Sequence, residues 1–423
     1  MMFDLLPLYI DPGTGSMLFS LFIGVAAALS FGLRAAYLKF KFILSGGKVQ
    51  KDNDSKSIPY VIFSDHKRYW NVFKPICDEF EKRQINLVFY TASSDDPALK
   101  TPYKYVKTEF LGENNKPFAR LNFLHADILL ATTPGLGVYQ WKRSKNVKYY
   151  VHIPHSVSDL TGYRMFGLDH YDAVLATGVS QEKHMRDIEE LRPSIAKKEF
   201  VVAGSSYLDE MRNRLESSVE SKTGDDKKIV LVAPSWGKSS ILSKFGEKFL
   251  QALRNTGFNI IVRPHPQSVV SEQNILKPLE EKFSDFTWNY DNDNFVVLKK
   301  ADIMITDFSG VMFDYALVFD KPFIYADTHF DKSPYDVDWL KDSLWEIENL
   351  PKFGIKLEEE QFPIMHDIIT KAMNSEELQN GRNEIRNLCW HCRGSASKNV
   401  VDYMVKKRNE LLSVKNGDAE GVK

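Results

Sequence analysis

Short apolar runs of strand length alternate along this chain with segments of helical period, the pattern of parallel strands joined by crossover helices. The runs cover residues 60–63, 87–90, 128–131, 149–152, 173–177 and 200–203, with helical segments at 70–83 and 181–191. A charged, turn-prone stretch at 216–228 interrupts the rhythm, which resumes with runs at 229–233, 260–263, 303–306 and 323–325 and helical segments at 240–255 and 311–318. The fold class read from this pattern is α/β, with two doubly wound Rossmann-like domains at 58–220 and 221–405 and a tail at 406–423. An amphipathic helical stretch at 359–415 suits a segment packed over the domains. Strand ends from both halves are expected to face one cleft, where such sheets bind ligands.

The chain has 423 residues, 43% of them hydrophobic, enough for two cores of ordinary size and too many for a disordered polymer. Lys and Arg total 55 against 56 Asp and Glu, so the net charge of -1 supplies no bulk field for nucleic acid. Three cysteines, Cys77, Cys389 and Cys392, are too few for a disulfide scaffold and favour a reducing compartment. Cys389-Trp390-His391-Cys392 has redox-motif spacing but lacks the strand-to-helix setting of that chemistry, so it reads as chance. The N-terminus departs from this composition, because residues 12–33 carry no charge and are mostly apolar, about the length that spans a bilayer core. Arg34, Lys39, Lys41, Lys48 and Lys51 follow it, and Asp4 and Asp11 precede it. The reading is an uncleaved membrane anchor within residues 1–45 and a polar tether at 46–57, with the remainder on the cytoplasmic side. A cleaved signal peptide would carry a basic leader, which is missing here.

Chemistry concentrates where the apolar runs end. Arg263-Pro264-His265-Pro266 holds an extended backbone from which a guanidinium and an imidazole project, a set of donors suited to an anion. Asp307 and Ser309 lie in a strand-to-helix turn, where a serine either caps the helix or binds phosphate. Ser235, Lys238 and Ser239 sit in a third such loop, which suits phosphate but lacks the full Walker pattern and so disfavours a nucleoside triphosphatase. In the first half His155 reads as a general base and His152 as a packing or supporting residue. No cluster of carboxylates marks a two-metal site, so no metal ligand is assigned.

These segments together resemble the CDP-glycerol:poly(glycerophosphate) glycerophosphotransferase family, the polymerases and primases of teichoic acid and related capsule backbones. Ala233-Pro234-Ser235-Trp236 resembles the family's Ala-Pro-Thr-Trp, His265 falls on the His of its Arg-x-His, and Asp307-Phe308-Ser309-Gly310 falls on its Asp-Tyr-Ser-Ser. Gly394-Ser395-Ala396-Ser397 is similar to its Gly-x-Ala-Ser. The first half departs further: Pro154-His155-Ser156-Val157 keeps only the histidine of Trp-His-Gly-Thr, and Gly204 to Asp209 lacks the arginine of Gly-x-Pro-Arg-x-Asp.

The resemblance implies a GT-B type fold at the cytoplasmic face of the membrane and transfer of an alditol phosphate, glycerol phosphate first among them, from a CDP-alditol donor with release of CMP. The acceptor it implies is a hydroxyl of a lipid-linked or polysaccharide chain. The expected roles are base for His155, phosphate donor for His265, and donor-phosphate binding for Arg263, Ser235, Lys238, Ser239, Asp307 and Ser309. No cofactor is obligatory in this reading, which leaves room for a Mg²⁺ carried by the diphosphate. Two other readings stay open. One is a GT-B glycosyltransferase or epimerase using a UDP-sugar, with Asp307 or Asp327 near the sugar; the other is a non-catalytic envelope-assembly protein.

Overall fold

Residues 57–138, 140–163, 166–218, 227–291, 293–329 and 344–420, together with Leu33, are described by a computed structural model. The membrane segment expected at 1–45 and its tether lie outside these residues but for Leu33 and Ser57. Among the described residues no helix is long and apolar enough to cross a membrane.

Seven parallel strands form the first sheet: β1 (Ile58–Ser64), β2 (Leu87–Thr91), β3 (Val106–Phe110), β4 (Ala126–Ala131), β5 (Val147–His152), β6 (Ala173–Ala176) and β7 (Glu199–Val202), in the order β3-β2-β1-β4-β5-β6-β7. Six more form the second: β8 (Ile229–Val232), β9 (Asn259–Val262), β10 (Thr287–Trp288), β11 (Ile303–Thr306), β12 (Phe323–Ala326) and β13 (Gly354–Leu357), in the order β10-β9-β8-β11-β12-β13. Each sheet winds outward one way from its first strand and then restarts on the other side. That leaves a crevice at the carboxyl ends of β1 and β4, paired Tyr60 to Ile128, and a second at those of β8 and β11, paired Val232 to Ile305. Both parallel sheets expected from the apolar runs are therefore present.

The central strands are buried on both faces, which is why they read as unbroken apolar runs: every residue of β4 and β11 is buried. Alternate residues serve opposite faces. Val230 and Val232 join Phe249 and Ile305 in one layer, while Leu231 joins Met304, Phe313 and Phe353 in the other. The helix Trp70–Lys82 covers the first sheet with Trp70, Phe73, Ile76, Cys77 and Phe80, the three-and-four spacing of a helical stripe.

Some expected elements change form. The single helix expected over 240–255 is split into Ile241–Lys244 and Gly246–Arg254, because Phe245 turns into the core and Gly246 takes a φ of 41°. The segment expected to be helical at 311–318 is one α-turn, Val311–Phe313, followed by a π-turn, Asp314–Val318. The boundary expected at residue 405 falls inside one helix, Ala396–Glu420, which returns to the first sheet and buries Val400, Val401 and Met404 beside Phe73 and Phe80. Asp209 fixes this return by accepting hydrogen bonds from Trp390 Nε1 and the Ala396 N–H, both 3.0 Å. Gly204, with φ 97°, makes room for it, since a Cβ there would stand 2.6 Å from the His391 carbonyl oxygen. The Cys389-to-Cys392 segment is thus a structural turn; Cys389 is buried against Ile385 O, and both cysteines are free.

Candidate functional site

The two crevices open onto one cleft of about 560 Å³. Arg68 and Tyr69 enter it from the turn after β1, and His155, Ser156 and Ser158 from the loop after β5. Opposite them stand Ala233 and Pro234 after β8, Arg263 to Pro266 after β9, and Phe308 to Val311 after β11.

His155 is wedged between aromatic rings, its centroid 5.0 Å from Tyr69 and 6.3 Å from Tyr163. Its Nδ1 is enclosed with no hydrogen-bond partner among the described residues, which leaves Nε2 to meet the cleft. Burial, with the Arg68 guanidinium second, holds its pKa down at about 4, so the ring is a neutral base at neutral pH. The loop that carries it is pinned by Gln181, whose amide donates to Ser156 O at 3.1 Å and Ser158 O at 3.0 Å. His152 is fully buried, edge-on to Tyr163 and Tyr171 at the end of β5, where it packs and does not reach the cleft.

His265 caps the helix Pro266–Ser271: its Nδ1 accepts the Gln267 N–H at 3.1 Å. That bond selects the tautomer protonated on Nε2, which leaves an N–H donor for the cleft. Burial, then Arg68, lowers its pKa and keeps it neutral.

Four of the expected phosphate ligands do not line the cleft. Asp307 is 2% exposed, and its carboxylate accepts the backbone N–H groups of Ser235 at 2.8 Å, Ile241 at 2.9 Å and Phe308 at 2.7 Å. It staples the β8 loop to the end of β11; an anion so placed would also repel phosphate. Ser235 is buried with its side chain beside the Asp307 carboxylate, while Lys238 is exposed and Ser239 half-buried beyond the φ 90° turn at Gly237, all outside the lining. Arg263 does line the cleft, but its fork is spent on Asn289 Oδ1 and, at 2.7 Å, on Asp291 O. Ser309 lines the cleft as expected. Asp327, the other carboxylate considered for a sugar, pairs with Lys356 at 2.7 Å away from the lining. Among the described residues no group of three His, Cys, Asp or Glu side chains is arranged to hold a metal ion.

Other groups bridge the halves. Gly310 approaches the first half so closely that a Cβ there would stand 3.8 Å from Ser158 Oγ and 3.9 Å from Ser156 Oγ. Tyr207 donates its hydroxyl to Asp314 in the π-turn at 2.9 Å, and burial pushes the Asp314 pKa up to about 7. Asp159 accepts the Trp345 N–H at 2.8 Å, and its own N–H donates to Glu346 Oε2 at 3.0 Å. His184 Nδ1 lies 3.3 Å from Asp159 Oδ1. Burial first, and the Asp159 charge second, push Glu346 up to about 7.

Because that folded pKa lies above the unfolded value near 4.5, the stability tied to protonated Glu346 is complete below about pH 4.5 and is lost as pH rises through 7. Glu346→Gln keeps an acceptor for the Asp159 N–H and removes the titration. Relative to the native chain, it should gain roughly 2 kcal/mol of stability between pH 5 and pH 8 in urea unfolding. A gap that does not change with pH would contradict this account of Glu346.

Residues 167–406, more than half of the chain, match the family model described as CDP-Glycerol:Poly(glycerophosphate) glycerophosphotransferase. The teichoic acid poly(glycerol phosphate) polymerase of Bacillus spizizenii is 28% identical over 228 residues, covering 49% of this chain and 54% of that protein. The protein of the same name from Staphylococcus epidermidis is 31% identical over 142 residues, covering 31% of this chain and 17% of that one. The chain thus spans about half the length of the first of these relatives, and less of the second. Among solved structures, the wall teichoic acid polymerase TagF superposes with a TM-score of 0.57 at 17% identity, covering 90% of this chain and 98% of that one. The UDP-GlcNAc 2-epimerase of Neisseria meningitidis superposes at 0.51 with 15% identity, covering 82% and 100%. These two likenesses show the shared fold.

Proposed function

Because this chain belongs to the CDP-glycerol:poly(glycerophosphate) glycerophosphotransferase family, we propose that it transfers an alditol phosphate, taken to be glycerol phosphate, from a CDP-alditol to a hydroxyl of a cell-envelope polymer. The observation that carries this reading is the presence of His155 and His265, one from each half, in the lining of a single cleft. The donor's diphosphate lies along the second half, against the Nε2–H of His265 and Ser309. The acceptor enters from the first half. Its hydroxyl oxygen bonds to the distal phosphorus as the proton passes to His155 Nε2; the bond from that phosphorus to the bridging oxygen breaks, and CMP leaves with that oxygen. Such a transfer asks the protein mainly to align the attacking oxygen and to stabilise phosphoryl charge. The step requires no resident metal and leaves room for Mg²⁺ arriving on the diphosphate.

The acceptor is proposed to be lipid-linked, with residues 12–33 as a membrane anchor that holds the site at the cytoplasmic surface and raises the effective concentration of the two partners. Incubating the purified full chain with CDP-glycerol, CDP-ribitol or UDP-GlcNAc and a glycerol phosphate oligomer should release CMP from a CDP-alditol only. Turnover of UDP-GlcNAc with both CDP-alditols inert would replace this reading with the nucleotide-sugar one. Cellular function that survives His155→Ala would favour the assembly-protein reading.

A further inference from the structure

We propose that Arg68 grips the phosphoryl group in transfer, supplying from the acceptor half the cation that the sequence pattern had assigned to Arg263. The inference rests on the transferase reading for its reaction but on the geometry of one turn for its residue. That turn, at the carboxyl end of β1, is locked on three sides: Arg68 N–H donates to His66 Nδ1 at 3.1 Å, Tyr69 N–H to His66 O at 3.1 Å, and Lys67 N–H to Ser93 Oγ at 3.0 Å. So held, Arg68 projects into the cleft, with its guanidinium carbon 5.1 Å from the centroid of the Tyr69 ring, which lies 5.0 Å from the ring of His155. Guanidinium, phenol and imidazole thus stand in series along one wall, facing the wall that carries His265.

The two guanidiniums in the lining differ in what they are free to do. Both terminal nitrogens of Arg263 are engaged, by Asn289 Oδ1 and the Asp291 carbonyl, whereas Arg68 rests against the Tyr69 phenol and its charge acts on the Asp65 carboxylate. Its charge reaches both catalytic imidazoles, since it depresses the proton affinity of His155 and of His265. A cation felt from both walls is where the distal phosphorus must sit when the acceptor oxygen, beside His155, attacks it. There its planar fork can hold two non-bridging oxygens while the bond to the bridging oxygen breaks. No further reactant enters the step.

The test compares two nucleotides. CDP carries a β-phosphate where the transferred group would lie and CMP does not. In calorimetric titrations, Arg68→Ala should bind CDP on the order of 30-fold more weakly than the native chain while CMP affinity stays within about twofold, which also shows that the variant is folded. With CDP-glycerol, kcat should fall on the order of 100- to 1000-fold, and Arg68→Lys should recover only part of it. Equal CDP affinity in native and Arg68→Ala proteins overturns the proposal. So does a rise in the KM for the acceptor with kcat and CDP affinity unchanged, which would put Arg68 on the acceptor's own phosphates. If the native chain turned over no CDP-alditol yet lost CDP affinity with Arg68→Ala, the transferase reading would fall with Arg68's part in transfer, and only its assignment as a β-phosphate ligand would stand. Failure of the native chain to bind CDP sinks both.

Discussion

Replacing His155 with alanine is expected to lower CDP-glycerol turnover by about three orders of magnitude while leaving CMP affinity close to native. The loss is large because the carboxylate on the same wall, Asp159, is occupied by the Trp345 and Thr161 N–H groups, and the rings beside His155, Tyr69 and Tyr163, are phenols whose pKa burial raises. The companion measurement is the pH profile of kcat/KM. A solvated imidazole would lose activity below about pH 6.5. Here burial and Arg68 hold His155 at about 4, so the acid limb that His155 sets should fall near pH 4, well apart from the carboxyls of Asp314 and Glu346, which line the same cleft and titrate at about 7. An acid limb near 6.5 in the native protein, or an alanine variant within tenfold of native turnover, would remove His155 from the role of base.

How much of this was legible beforehand follows from burial. Strands sealed on both faces, such as β4 and β11, announce themselves as apolar runs. The strands that escaped are edge strands: β3 carries the polar Lys107 and Glu109, β10 has only Thr287 and Trp288, and β13 turns Lys356 outward to Asp327. An edge strand need bury little, so its alternation is diluted. Helical period likewise could not reveal the π-turn at Asp314–Val318, whose Asp314 is held from the other half of the molecule by Tyr207.

The site divides in the same way. His155 and His265 were legible because each follows a strand beside a proline, and strand ends of parallel sheets converge on ligands. Arg68 was not, because Asp65 to Tyr69 reads as an ordinary charged loop until the order β2-β1-β4 puts that turn at the crevice. Glu346 becomes notable only through Asp159, a contact 187 residues distant along the chain. Asp307 shows the converse, since residue type and position suggested a ligand contact while its carboxylate accepts three backbone N–H groups.

That reassignment has a large consequence. Asp307→Ala removes the acceptor shared by three backbone N–H groups, those of Ser235, Ile241 and Phe308, in a place 2% exposed to solvent. Burial already raises the pKa of this carboxyl, so its charge is tolerated only because those donors face it. Stripping the acceptor leaves them unpaired, at a cost of about 3–5 kcal/mol and a fall in Tm on the order of 10 °C. Asp307→Asn should recover only part of this, since its amide offers a donor where one of the N–H groups needs an acceptor. Turnover measured well below the melting transition should stay within about tenfold of native, because Asp307 lies outside the cleft lining and holds Pro234 and the β8 loop in place. An alanine variant that melts like the native protein but loses turnover as completely as His155→Ala would return Asp307 to the reacting centre.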